Sequence, residues 1–303
     1  MSIAELEARE IQLEAGTGGL WRDAWHRLRR NPGALLGFTL VGIFITVAVL
    51  APVLAPEDPR SGDLSRLAGV CCPGPSSDFL LGVDQQGRDE LSRILYGARF
   101  SLLIGVVSVA VGLSIGVLLG SIAGYLGGIV DSVIMRLMDI MLSIPGLLLA
   151  IGIVAMLGPG LFQIMIAVGA TQVPIFARLM RGSILAQRDN DFVLAARSIG
   201  VPRRSILASH ILPNAISPVI VQGTLALATA IIDVAGLGYL GLGPQDPSTP
   251  EWGTMLTDTT RYLQTAPHLA LIPGVAIVIS VLGFNLVGDG LREALDPKFR
   301  GRG

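Results

Sequence analysis

The sequence predicts an all-α polytopic membrane protein with six transmembrane helices, and three observations carry that prediction. Hydrophobic residues make up 51% of the chain and charged residues only 15%, with a mean hydropathy of +0.65, too apolar for an ordinary soluble domain. Six apolar runs are each long enough to cross a hydrocarbon core of roughly 30 Å. The basic residues fall unevenly between the runs, so the formal net charge of -1 conceals an asymmetry and gives no reason to expect a nucleic-acid partner.

Taken in order, the first twenty residues are polar and hold no apolar signal core. Leu20, Trp21, Trp25 and Leu28 then share one side of a helix flanked by Arg22, Arg27, Arg29 and Arg30, the pattern of an interfacial helix. Asn31 and Pro32 read as cap and first position of the first crossing, Gly33 to about Pro56. Glu57 to Phe100 is a long polar loop with seven acids and one amphipathic helix near Asp89 to Phe100. Ser101 to Gly124 is the second crossing, with Gly105, Ser108, Gly112, Gly116 and Gly120 at spacings that let helices approach closely. Asp131 to Gly158, with Pro145 and Gly146 in its middle, is the third. Leu161 to about Leu179, interrupted by Pro174, is the fourth, Asn214 to Leu237 the fifth and Leu269 to Val287 the sixth.

Between the fourth and fifth runs lies DFVLAARSIGVPRRSILASHILP, Asp191 to Pro213. Asn190 or Asp191 can cap a short helix through Ile199, Gly200 can take the left-handed turn that ends it, and Pro202 suits the first turn of a second helix. A solvated connector is the plain reading of that shape. In residue order, however, the stretch resembles the EAA motif of ABC importer permeases, with Ala195, Ala196, Gly200, Leu212 and Pro213 in the motif's places. Leu194 stands where the glutamate belongs and His210 where the isoleucine belongs. The resemblance implies a coupling loop, 181–213, gripped by an ATPase subunit through Phe192, Leu194, Ala195, Ala196, Gly200, Pro202, Arg203, His210, Leu212 and Pro213.

A second segment, Phe79 to Leu102, is similar to the external stretch of the second permease in dipeptide, oligopeptide and nickel importers. Gly82, Asp84, Gly87, Arg88, Asp89, Ser92, Arg93, Gly97, Arg99 and Ser101 fall in step, with Val83 in place of a threonine. Thr229 to Leu256 resembles the family's acidic, glycine-rich run and its downstream Trp-Gly, with Asp233 as the acid. Gly288 to Arg300 resembles the family's tail. The resemblance implies the type I ABC importer permease fold and a larger machine. That machine comprises a homologous second permease, two ABC ATPase subunits and an extracytoplasmic substrate-binding protein, in the cytoplasmic membrane of a bacterium or archaeon. ATP and magnesium belong to the ATPases, and no cofactor is expected in this chain.

Sixteen of the 22 Lys and Arg fall on the side of the termini and the EAA-like loop, which places both termini in the cytoplasm. The expected division is a cytoplasmic segment with the interfacial helix (1–32), a six-span domain (33–290) with external loops 57–100 and 238–266, and a cytoplasmic tail (291–303).

Catalysis finds no footing. The only lysine, Lys298, has no glycine-rich loop before it, the three histidines lie in different segments, and the spans offer no base beside a serine. An ion-coupled secondary transporter is the rival of another class, but the corresponding broken helices of its two halves are not evident. Two carboxylates fall within the spans, Asp139 and Asp233. Intramembrane acids default to function because an unpaired one is costly. Asp139 can simply pair with a neighbouring helix, and Asp233 can hydrogen-bond at a helix end or meet a peptide ammonium on the pathway. Cys71 and Cys72 read as two small residues of an external loop, since adjacent cysteines pair only under strain. The sequence thus reads as the permease subunit of an ATP-driven importer of peptides, with nickel or another small solute as the alternative cargo.

Overall fold

The computed structural model describes residues 20–67, 71–257 and 259–295, with side chains from residue 24 onward. The polar stretch 1–19, the side chains of Leu20, Trp21 and Arg22, and the tail residues Asp296, Pro297, Lys298 and Arg300 lie outside the described residues. Within them the regular structure is helical, apart from an isolated bridge between Val83 and Asp89.

Helix α1 (Leu20–Leu28) precedes α2 (Pro32–Leu54), which Asn31 caps by accepting a hydrogen bond from the Ala34 N–H at 3.0 Å, with Pro32 in the first turn. The expected grouping of Trp25 with Leu28 on one membrane-facing side does not hold. Leu28 and Ala24 are buried against Ala34 and Ala294, while Trp25 is exposed and stacks under the Arg29 guanidinium at 4.7 Å.

Helix α3 (Glu90–Leu126) corrects the division made on sequence: the amphipathic helix near Asp89 and the second crossing are one uninterrupted helix of 37 residues. Asp89 caps it, its carboxylate accepting the Ser92 N–H at 2.8 Å and hydroxyl at 2.6 Å. No proline interrupts it, and its polar first turns are buried by the far loop rather than solvated.

The third crossing is α4 (Gly128–Ser143) and α5 (Gly146–Leu157), which meet at 94°. Pro145 forces the residue before it out of the helical region, and Ile144 is accordingly extended at φ -95°, ψ 128°. Four helices follow: α6 (Leu161–Gln187), α7 (Asp191–Ser198), α8 (Arg203–Ser205) and α9 (Leu212–Ala215). The chain continues through α10 (Ser217–Leu237) and α11 (Trp252–Met255) to α12 (His268–Leu295). Helices α2, α3, α6, α10 and α12 are each long and apolar enough to span a membrane, and the bent α4–α5 pair makes the sixth candidate crossing. Pro174 and Pro273 are buried inside α6 and α12 without breaking them.

The centre of the bundle is the pairing of α3 with α6. A side chain at Gly116 would come within 2.6 Å of the Phe176 Cβ, and one at Gly112 within 2.6 Å of both the Gln172 Cβ and the Gly169 carbonyl. Glycine every fourth residue lets the two backbones touch. Around this seam Ile104, Val168, Phe176, Met180 and Ile184 are fully buried. At one end of the bundle Asn31 bonds Glu293 at 2.6 Å, and the α3–α4 turn, the α6–α9 segment and both described chain ends gather there. The other end carries residues 57–67, 71–90, 238–257 and 259–267.

Candidate functional site

At the first end, α7 leaves α6 through a three-residue turn. Asn190 holds the cap position with extended backbone, but its side chain donates to Gln187 Oε1 at 2.9 Å instead of closing the helix. Gly200 ends α7 at φ +79°. Its N–H donates to the Arg197 carbonyl and that of Val201 to the Ala196 carbonyl, both at 3.1 Å, the paired bonds of a Schellman turn. Pro202 is the residue before α8 rather than a member of its first turn. From Ile206 to Ile211 the helix widens to π geometry, with the Leu212 N–H reaching the Leu207 carbonyl. Pro213, which has no N–H for the carbonyl four residues back, follows at the start of α9.

The two faces of α7 differ. Val193 and Ala196 are buried in the main core, whereas Phe192 (39%), Leu194 (47%) and Ile199 (82%) stand exposed, as do Ala195, Arg203 and Pro213. Of the two alanines only Ala195 offers a small outward surface, and Ala196 serves internal packing. Leu212 is half-buried, and His210 is half-buried with its Nδ1 enclosed and unpartnered among the described residues.

At the opposite end, the second motif segment is a buried polar knot. Asp84 accepts from the backbone N–H of Gln86 (2.8 Å) and Arg88 (3.0 Å), from the Arg88 guanidinium (2.6 Å) and from Arg93 Nε (3.3 Å). Arg88 also donates to the Pro247 carbonyl at 2.5 Å, tying this segment to a loop 159 residues later. Gly87 turns at φ +73° with its Cα against the Asp63 backbone, leaving no room for a side chain. The ion pairs of Asp84 with Arg88 and Arg93 are nearly dry, so these three residues build structure.

Asp139, on α4, is paired with Arg178 of α6 at 2.5 Å, and Asp131, two turns earlier, with Arg181 at 2.5 Å. Asp233 is half-buried on α10 and has no hydrogen-bonding or ionic partner among the described residues. Aligning the glycine-rich run on Tyr239 to Gly243 puts its acidic position at Val234, which is buried; Asp233 lies one place earlier, on the adjoining face.

A family described as the binding-protein-dependent transport system inner membrane component matches residues 116–301, and the N-terminal TM domain of oligopeptide transport permease C matches residues 19–68. The chain belongs to the first of these families. It is a transmembrane permease subunit of an ABC importer. The permease is 46% identical over 281 residues to the dipeptide transport system permease protein DppC of Alkalihalophilus pseudofirmus, covering 92% of this chain and 90% of that one. It is 44% identical to the di/tripeptide transport system permease protein DppC of Pseudomonas aeruginosa, covering 92% of each. With the glutathione transport system permease protein GsiD of Salmonella typhimurium it shares 49% over 282 residues, 93% of this chain and 91% of that one. Its fold resembles the MetNI methionine ABC transporter in inward-facing conformations, with a TM-score of 0.56 at 20% identity over 67% of this chain and 96% of the other.

The permease also contains a site that its sequence did not announce. Glu251, fully buried, caps α11 by accepting the N–H groups of Gly253 and Thr254, both at 2.8 Å, and a bond from the Ser101 hydroxyl at 3.2 Å. Burial pushes its carboxyl above the ordinary carboxylate range, and those hydrogen bonds pull it part-way back. Trp252 beside it donates from its indole to the Ile94 carbonyl at 3.2 Å and packs so close to Gly97 that a Cβ there would meet its ring at 2.6 Å. A Glu-Trp-Gly-Thr sequence reads as an N-cap followed by a turn, a signal that was present but local; its partners on α3 are not.

Proposed function

We propose that this permease subunit carries peptides, as one half of a channel whose other half is a homologous permease. The reading assigns the end bearing α7 to the cytoplasm, together with both termini, and the 57–90 and 238–267 segments to the outside, where an extracytoplasmic binding protein delivers the cargo. ATP and magnesium act in two partner ATPases, and this chain performs no chemistry. The observation that carries the reading is that a short helix ended by Gly200 leaves Phe192, Leu194 and its C-cap residue Ile199 exposed. Apolar side chains on a rigid, solvent-facing helix are the form of a docking element. The bias of sixteen basic residues to this side supports the orientation, and the peptide and glutathione permeases among the relatives support the cargo.

Mechanistically, closure of the ATPases pushes α7; the push reaches the core through Val193 and Ala196, and α6 moves with α3 because their backbones are in contact. With Asp139 held by Arg178, Asp233 is the carboxylate free to meet a peptide ammonium. Reconstitution of the full complex with its binding protein tests both statements. Uptake of a labelled dipeptide, lost on N-acetylation of the peptide and weakened about 10-fold by Asp233→Asn, supports the reading, because one ion-paired hydrogen bond is worth roughly 1.5–3 kcal/mol. Uptake of nickel without peptide uptake overturns the cargo, and equal uptake of acetylated peptide overturns the role of Asp233.

A further inference from the structure

Helix α10 carries Gln222, Leu225, Thr229 and Asp233 at intervals of three and four residues, so the four share one face, and none of them is buried. Thr229 turns its hydroxyl back to the Ala226 carbonyl at 3.0 Å. Gln222 and Asp233, about 16 Å apart along the helix at 1.5 Å per residue, have no side-chain partner among the described residues. An unpaired amide and carboxylate on a membrane-spanning helix are costly against lipid, so this face of α10 belongs to a polar surface.

At the α7 end the same face opens into a cavity of about 360 Å³, lined by Ser217 and Gln222 of α10, Leu179 of α6, and Arg292 and Leu295 of α12. None of its lining residues lies in the 181–213 loop, and none is a carboxylate. Arg292 is exposed and has no partner among the described residues, although its neighbour Glu293 is bonded to Asn31. One guanidinium, one amide and one hydroxyl therefore line a single cavity with room for a dipeptide-sized solute.

We infer that this cavity is a second cargo subsite, which takes the C-terminal carboxylate of a peptide through Arg292 and Gln222. Guanidinium and amide N–H groups are the donors that a carboxylate accepts from, and Arg292 supplies the opposite charge. Asp233, at the other end of the same face, takes the ammonium. An extended dipeptide spans roughly 7 Å at about 3.5 Å per residue, less than half the separation of the two subsites, so they act in succession. The peptide meets Asp233 by its amino end and leaves by way of Arg292 with its carboxylate leading. The inference rests on the reading of the cargo as peptide.

The test places a cysteine in the cavity wall, Leu225→Cys, in the intact complex of permeases and ATPases without the binding protein, so that delivery does not enter. The rate of its modification by a thiol reagent is followed against increasing dipeptide and against the same dipeptide as its C-terminal amide. The dipeptide is expected to slow modification, with the amide needing roughly 3- to 10-fold more for half protection. Adding Arg292→Gln should raise the dipeptide requirement by a similar factor, and Arg292→Lys should restore it. If Arg292→Gln does not assemble, the comparison of acid with amide on Leu225→Cys alone decides. Equal protection by acid and amide, or by the dipeptide with and without Arg292→Gln, overturns the inference. Dipeptide uptake by the wild-type complex with its binding protein, measured alongside, separates the two claims. Uptake without protection overturns the subsite alone, and absence of both overturns the peptide reading with it.

Discussion

Ser101 and Glu251, 150 residues apart, share a hydrogen bond at 3.2 Å in a buried pocket at the end of the bundle opposite α7. The same hydroxyl accepts the Trp252 N–H at 3.1 Å, so one serine on α3 holds both the cap and the first residue of α11. Glu251→Ala leaves two backbone N–H groups without their acceptor. It is expected to destabilise the purified chain by about 2–6 kcal/mol, read as a lower thermal midpoint, at about 1–3 kcal/mol for each orphaned group.

The same carboxylate predicts a pH dependence. Its folded pKa lies above the ordinary 4.5, so the folded chain holds a proton that the unfolded chain has released. Its contribution is therefore full below about 4.5 and declines as pH rises through the raised value. Thermal midpoints measured from acid to neutral pH should show this decline in the wild type and a flatter profile in Glu251→Gln; an identical profile in the two contradicts the assignment.

Gly200→Val places a β-branched residue at φ +79°, where nothing lies within 4 Å, so the cost is backbone strain and not crowding, about 1–2 kcal/mol. The spans should still insert. ATP hydrolysis by the assembled complex should fall or separate from uptake, while Gly200→Asn, which tolerates that φ, keeps most of the activity. Wild-type uptake and hydrolysis in Gly200→Val would reduce the loop to a connector.

Gly116→Val drives a side chain into the Phe176 Cβ and the Val173 carbonyl, 2.6 and 2.7 Å from where its Cβ must sit. Overpacking of this kind costs about 1–3 kcal/mol or more, and no flexible group is there to yield. The matching variant Gly182→Val, with open space around it, should be nearly neutral in the same melting assay.

Cys71 and Cys72 are joined as a disulfide, and Cys72 is buried against Ala266 and Leu269, so the reading of two unpaired small residues gives way to a closed pair. An impermeant thiol reagent on intact cells should label neither residue until a reductant is added, and afterwards Cys71 in preference to Cys72. Labelling that requires permeabilisation even after reduction would reverse the proposed orientation.

What could be read from sequence was what depends on near neighbours. The Asn31 cap, the Gly200 turn and the glycine spacing of α3 each follow from a few consecutive residues. The inward and outward faces of α7 were also within reach, because Val193 and Ala196 lie three apart while Leu194 falls between them. The continuity of α3 was not legible: polar residues from Glu90 to Arg93 lower the hydropathy, and contacts from elsewhere in the chain cover this end, among them the Pro59 and Pro247 carbonyls on Arg93 and the Trp252 indole on the Ile94 carbonyl. Pro145 signalled an interruption, but whether it kinks or divides a span depends on what the following helix packs against. Asp139 was seen and its partner was not, since Arg178 is 39 residues away on another helix.

Helix α3 runs unbroken for 37 residues, about 55 Å at 1.5 Å per residue, well beyond the thickness of a hydrocarbon core. Its two ends are anchored to different things: Tyr125 to the loop that holds α7, and Ser101 with Gly97 to the loop that holds Glu251 and Trp252. A rod so clamped cannot shorten, so it transmits rotation without loss. A tilt of only about 5° about one end displaces the other by about 5 Å, the length of a helical turn. A displacement at the α7 end therefore shifts the loops at the opposite end of the bundle by about the width of a small side chain, with no unfolding in between.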